Sequence, residues 1–143
     1  MQKICIYIKY FYYFRVKYIS MQELKIAPTK NTPDIFMSPK GIIKIKGRSI
    51  HEDVVDFFAP VKKWIDEYIT KPAQLTTVDL NLEYFNSSSA KAIIYMLQQV
   101  MLVKIKDKTF VVNWYYEDGD EDIFERGEYI AAVLNVRMNF IKI

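Results

Sequence analysis

The chain has little of what most catalytic sites are built from. Its 143 residues include one cysteine (Cys5), one histidine (His51) and four glycines. A lone cysteine closes no intrachain disulfide and builds no thiolate metal site, which fits a reducing compartment. Four scattered glycines make no phosphate-cradling loop, and no other cofactor motif is present. A Ser–His hydrolase would need the single histidine beside a serine, with an acid to orient it. No Gly-x-Ser-x-Gly elbow exists to carry that serine, and His51 falls near an expected helix start, where a polar side chain is ordinary. An enzyme is therefore a poor fit. The net charge of +3 is too small to argue for nucleic acid by itself.

That charge is unevenly placed. Residues 1–20 carry Lys3, Lys9, Arg15 and Lys17 and no acid, so they contribute +4 and leave the rest at −1. The same stretch holds seven aromatics and the cysteine. Lys9 and Arg15 break the apolar run that a secretory signal or a membrane span needs. A basic, aromatic segment can still lie on a membrane surface, but stable insertion is not expected. Met21 opens Met-Gln-Glu-Leu-Lys-Ile, which reads like a protein start. Residues 1–20 are thus read as an extension outside the functional domain, of the kind a start-site artefact leaves, and residues 21–143 as one functional domain of ordinary composition.

Within the domain, Leu24–Ile26 and Ile35-Phe36 read as short strands, stopped by Pro28 and separated by the Thr32-Pro33 turn. Ser38-Pro39-Lys40-Gly41 reads as a hairpin turn, followed by a strand over 42–46 that Gly47 ends. Ser49 is the expected cap of the next helix, with Glu52 as its capping-box partner. Val54, Phe58, Val61, Ile65 and Tyr68 then share one face, and Pro60 predicts a kink or a late start. Thr76–Phe85 is the longest strand, with Val78, Leu80, Leu82 and Tyr84 facing one way by the period of two. Ala90, Ile93, Ile94, Leu97, Val100 and Met101 trace a core-facing helix stripe. A strand over 109–116, a helix after the acidic loop 117–122 and a strand over 138–143 complete the order βββαβαβαβ. This order is an α/β (α+β mixed) fold: a mixed sheet packed with about three helices.

The corner Asn86-Ser87-Ser88-Ser89 carries the most chemistry. It follows a buried strand and opens a helix, whose first N–H groups lack internal partners. By composition alone, a serine capping those groups is the plainer reading. The same geometry suits a phosphoserine, with nearly two negative charges and three acceptor oxygens. Lys91 lies four residues beyond Ser87, in reach of such a phosphate. Arg48, at a strand end, is a further cation that nothing in the sequence brings close. The acidic loop lacks the calcium-loop pattern and reads more simply as acids at a helix N-terminus. Trp114-Tyr115-Tyr116 could stack bases, but such strands usually pack, and the nearby acids argue against nucleic acid.

Several stretches spread over the domain carry a resemblance. They are Thr29–Pro33, Ile45-Lys46-Gly47-Arg48-Ser49, Phe57-Phe58-Ala59-Pro60-Val61 with Trp64, Leu82 to Ser89, Val112–Tyr116, and Asp120–Asp122 with Gly127-Glu128. In this order and spacing, residues 21–143 resemble the SiaC family of regulatory phosphoproteins. The resemblance implies a STAS-like fold, similar to anti-sigma-factor antagonists, and a cytoplasmic partner switch without cofactor. It implies a Ser/Thr protein kinase that phosphorylates the corner and a PP2C-type phosphatase that reverses it. The unphosphorylated form is expected to bind and activate a diguanylate cyclase; the alternative is a similar switch acting on another partner, such as an anti-sigma factor. The phosphoacceptor of the family follows the Asn of Tyr-Phe-Asn, which here is Ser87. Threonine is often found at that position, and the adjoining Ser88 is the second choice. Tyr84, Asn86, Ser88, Ser89 and Lys91 are the expected partner-facing residues.

Overall fold

The computed structural model describes residues 20–143. All of the extension expected over residues 1–20 except Ser20 lies outside the described residues. The strands are β1 (Leu24–Ile26), β2 (Asp34–Ser38), β3 (Ile42–Ser49), β4 (Leu75–Phe85), β5 (Thr109–Tyr116) and β6 (Met138–Lys142). The helices are α1 (Val54–Tyr68), α2 (Ser87–Val100) and α3 (Glu121–Leu134), with a 3-10 turn at Met101–Lys106. The element order is the one read from the sequence.

Strand order in the single sheet follows chain order, β1 to β6. The first two pairings are antiparallel, as short turns allow, and the last three are parallel, each bridged by a helix. Register lines up the apolar positions. Met37, Ile43, Val78, Val112 and Met138 form one row across five strands, and Ile35, Ile45, Leu80 and Trp114 the next, all buried. The alternate row, Phe36, Lys44, Asp79, Asn113 and Asn139, contains no buried residue. Its amides link across strands, Asn113 Nδ2 donating to Asp79 Oδ1 at 2.8 Å and Asn139 Nδ2 to Asn113 Oδ1 at 3.0 Å. The helices accordingly share one core on one face of the sheet.

Each helix begins on a side-chain cap. In α1 the cap is Asp53, whose carboxylate accepts from Asp56 N at 3.2 Å. Ser49, the expected cap, is instead the buried last residue of β3. Helix α1 starts at Val54 and continues through Pro60, with Phe58, Val61, Trp64, Ile65 and Tyr68 buried. The apolar stripe was therefore read correctly, and Pro60 delays nothing.

Gly47 does not end β3. It takes φ +110° and the strand runs on. Gly47 pairs with Leu82 and Arg48 with Tyr84, leaving Glu83 without a partner on β3. This bulge reverses the alternation of β4. Phe85 is 1% exposed and Tyr84 43%, the opposite of the period-two expectation. One inserted residue shifts every later side chain to the other face, and full burial of a phenylalanine is worth roughly 1.5–3 kcal/mol.

Phe85 meets the edge of Trp114, ring centres 6.0 Å apart. The Trp114 indole N–H donates to Ile123 O at 3.0 Å. Above it lies Gly127 of α3, where a Cβ would stand 2.6 Å from the ring. Gly127→Ala would gain about 1 kcal/mol of helix propensity, yet overpacking typically costs about 1–3 kcal/mol. The expected net result is a less stable protein with altered tryptophan fluorescence, checked by urea denaturation; a more stable variant would refute this account of Gly127.

Candidate functional site

The parallel strands all end at one edge of the sheet, where the connections 27–33, 50–53, 86 and 117–120 gather. There the chain turns from β4 into α2 through a single residue, Asn86. Its backbone N–H donates to Ser49 O at 3.1 Å, and its side-chain oxygen accepts from Ser89 N at 2.9 Å. The cap is therefore the asparagine and not a serine. This frees the hydroxyls of the first turn for other roles.

The three serines have different surroundings. Ser89 is fully buried, and its hydroxyl accepts from Ser49 Oγ at 2.7 Å. This bond pins the first turn of α2 to the end of β3. Ser89 was expected among the partner-facing residues; its burial makes it a positioning residue. Ser87 and Ser88 are exposed, as is Lys91 one turn on. The structure thus leaves two hydroxyls accessible, side by side, on a backbone fixed by Asn86 and Ser89.

Arg126, which sequence reasoning did not single out, completes the corner. From α3 its guanidinium donates to Phe85 O at 2.7 Å and pairs with Asp122 at 3.0 Å. It also lies over the rings of Tyr84 and Phe85, 5.4 and 5.0 Å from their centres. The Asp122–Arg126 spacing of four was a legible helix pair; nothing local showed that it lands on the end of β4. Arg48 comes level with Tyr84 in the sheet and is exposed.

Beside the corner, α1 and α2 enclose an apolar groove of about 470 Å³. Val54, Val55, Phe58 and Met96 line it, and it reaches Ser88 and Lys91. At its rim, Asp66 hydrogen-bonds Lys62 Nζ at 3.0 Å and holds that ammonium above its ordinary pKa.

The other candidates have plainer roles. His51 packs against Phe57 and Phe58, centres 4.5 and 6.2 Å away, and among the described residues its buried nitrogens bond to no hydroxyl or carboxylate. In the acidic loop Asp120 caps α3, accepting from Ile123 N at 3.1 Å, while Asp118 pairs with Lys142 at 3.3 Å. Among the described residues no acid, histidine or cysteine cluster could hold a metal ion. Trp114 is buried in the core, so it offers no face to a base.

Residues 26–143 match the SiaC family of regulatory phosphoproteins. The chain belongs to that family. An uncharacterised protein of Pseudomonas aeruginosa is 27% identical over 109 residues, covering 76% of this chain and 86% of that protein. The fold is shared with apo-SiaC of the same organism, at TM-score 0.73 and 24% identity, covering 85% of this chain and 98% of that one. It is shared equally with a crystal structure of the diguanylate cyclase SiaD in complex with its activator SiaC, at TM-score 0.76 and 24% identity, covering 84% and 99%. The SiaC assignment made from scattered motifs therefore stands, as does the mixed sheet with three helices.

The buried serine pair makes a quantitative prediction. Removing one hydroxyl leaves the other buried without its partner, which typically costs about 1–3 kcal/mol. Ser49→Ala and Ser89→Ala should each destabilise by that order, and the double variant by less than their sum. A denaturant double-mutant cycle measures this; strict additivity would show that the hydroxyls do not depend on each other.

Proposed function

We propose that this SiaC-family protein is a non-enzymatic partner switch, phosphorylated on Ser87, whose unphosphorylated form binds and activates a diguanylate cyclase. The observation that carries the reading is the sorting of the corner: Ser87 and Ser88 exposed, Ser89 buried and engaged. Ser87 takes precedence because it directly follows the Asn86 cap at the position the family modifies; Ser88 is second. A Ser/Thr protein kinase adds the phosphate and a PP2C-type phosphatase removes it, in the cytoplasm. The description of the family as regulatory phosphoproteins, and the activator complex known for a relative of the same fold, support this assignment.

The physical basis is charge at a docking face. Asn86 and Ser88 flank the acceptor in the chain, Tyr84 and Lys91 are exposed near it in sequence, and the apolar groove of α1 and α2 reaches Ser88 and Lys91. A cyclase surface fitted to neutral serines would have to bury an uncompensated dianion once the phosphate is in place. A loss of about 3 kcal/mol would weaken binding more than a hundredfold. The fixed backbone lets the surface charge change while the helix stays in place.

The test is site mapping after incubation with the cognate kinase, together with cyclase binding by two variants. Ser87→Ala should bind and activate as the parent does, and Ser87→Asp should bind far more weakly. Equal binding by both would refute the electrostatic switch. Residues 1–20 are proposed to lie outside the functional domain. Protein made from Met21 should fold and bind the cyclase with unchanged affinity; an unfolded or inactive product would overturn that boundary.

A further inference from the structure

The two ends of the sheet carry opposite charge. At the corner end, the connections 27–33, 50–53, 86 and 117–120 hold five acids (Glu52, Asp53, Glu117, Asp118 and Asp120) and one cation, Lys30. At the far end, the connections 39–41, 69–74, 101–108 and 135–137 hold six cations (Lys40, Lys71, Lys104, Lys106, Lys108 and Arg137) and one acid, Asp107. The sequence hides this, because the far-end cations come from four separate stretches.

The basic end is also apolar at its tips. Ile105 is 79% exposed, Leu75 48% and Leu102 40%. These residues belong to one surface. Lys106 Nζ donates to Thr70 O at 2.6 Å, Lys108 Nζ to Gln74 Oε1 at 3.3 Å, and Leu75 pairs with Thr109. Ser20 lies at this end too, in a cleft with Glu23, Lys25, Pro39 and Lys40, so this segment adds a second acid and a further cation to the basic end. The basic, acid-free residues 1–20 therefore join the domain on the same side.

We propose that this end is a peripheral docking surface for an anionic phospholipid membrane. Lysines around exposed aliphatic tips fit such a surface: the cations meet anionic headgroups while Ile105 and Leu102 enter the acyl boundary. A nucleic acid would use the cations but gain nothing from bare isoleucine and leucine, which give a base no ring to stack on. Among the described residues no helix is long and apolar enough to cross a membrane, so the attachment is to the surface. Docking by this end turns the acidic end, with Ser87 and its neighbours, away from the lipid. The inference stands on this patch alone and does not depend on phosphorylation.

The experiment is sedimentation of the full chain with phosphatidylcholine vesicles, with or without phosphatidylserine. Binding is expected to the anionic vesicles only, and to fall steeply as salt is raised. Each lysine at an anionic surface is worth about fivefold in affinity. Lys104→Glu with Ile105→Ser, both exposed, should weaken binding roughly tenfold or more, with circular dichroism and melting temperature unchanged. Lys30→Glu, at the opposite end, should bind as the parent does. Binding that survives the double substitution would place the attachment in residues 1–20 and overturn the proposal. Equal retention on neutral vesicles, or equal affinity for a DNA duplex, would overturn it as well.

Discussion

The unpaired Glu83 in β4 is the constraint from which the corner follows. Bulges are uncommon between parallel strands, and this one falls two residues before the strand ends. Without it Tyr84 would enter the core and Phe85 would face outward. With it, Phe85 seals the sheet against Trp114, and Trp114 in turn fits only beneath a residue with no side chain, Gly127. That contact sets how α3 lies, and α3 brings Arg126 onto the carbonyl of Phe85. A local irregularity in one strand thus determines which groups surround Asn86 and the serines.

The corner sets two exposed hydroxyls on a fixed frame. Three consecutive serines look alike in sequence, but the helix turn separates their roles. Ser89 points back to β3, where Ser49 Oγ donates to it, and Asn86 closes the first turn from the other side. Backbone order here comes from buried and capping hydrogen bonds, which the hydroxyls of Ser87 and Ser88 do not make. Charge placed on those hydroxyls acts on whatever approaches, with little leverage on the fold beneath.

Much of this was legible in the sequence, for physical reasons. Alternation in β3 and the first part of β4, the stripes of α1 and α2, and the acids before α3 all reflect local periodicity, which one chain segment displays by itself. The bulge was not legible, because Gly47 is an equally good strand terminator and its pairing with Leu82 is a long-range fact. The same limit explains the caps. Ser49 and Asp53 are both good capping residues, and only the extension of β3 past Gly47 decides between them. Arg126 was missed because its role depends on where α3 packs. The serine corner was found because asparagine and serine at a strand-to-helix turn form a local signal, and the spaced motifs then gave it a family context.

Strand order that equals chain order has a consequence for assembly. Each new strand pairs with the one made just before it, and only one connection must close at a time, so pairing needs no distant segment to return. A chain leaving the ribosome can extend the sheet strand by strand. The corner does not follow that schedule. Its serines emerge midway, but Arg126 and the cover over Trp114 arrive nearly forty residues later. The corner's surroundings are therefore complete only when the final helix has packed, so an unfinished chain carries the serines before Arg126 and Gly127 are in place.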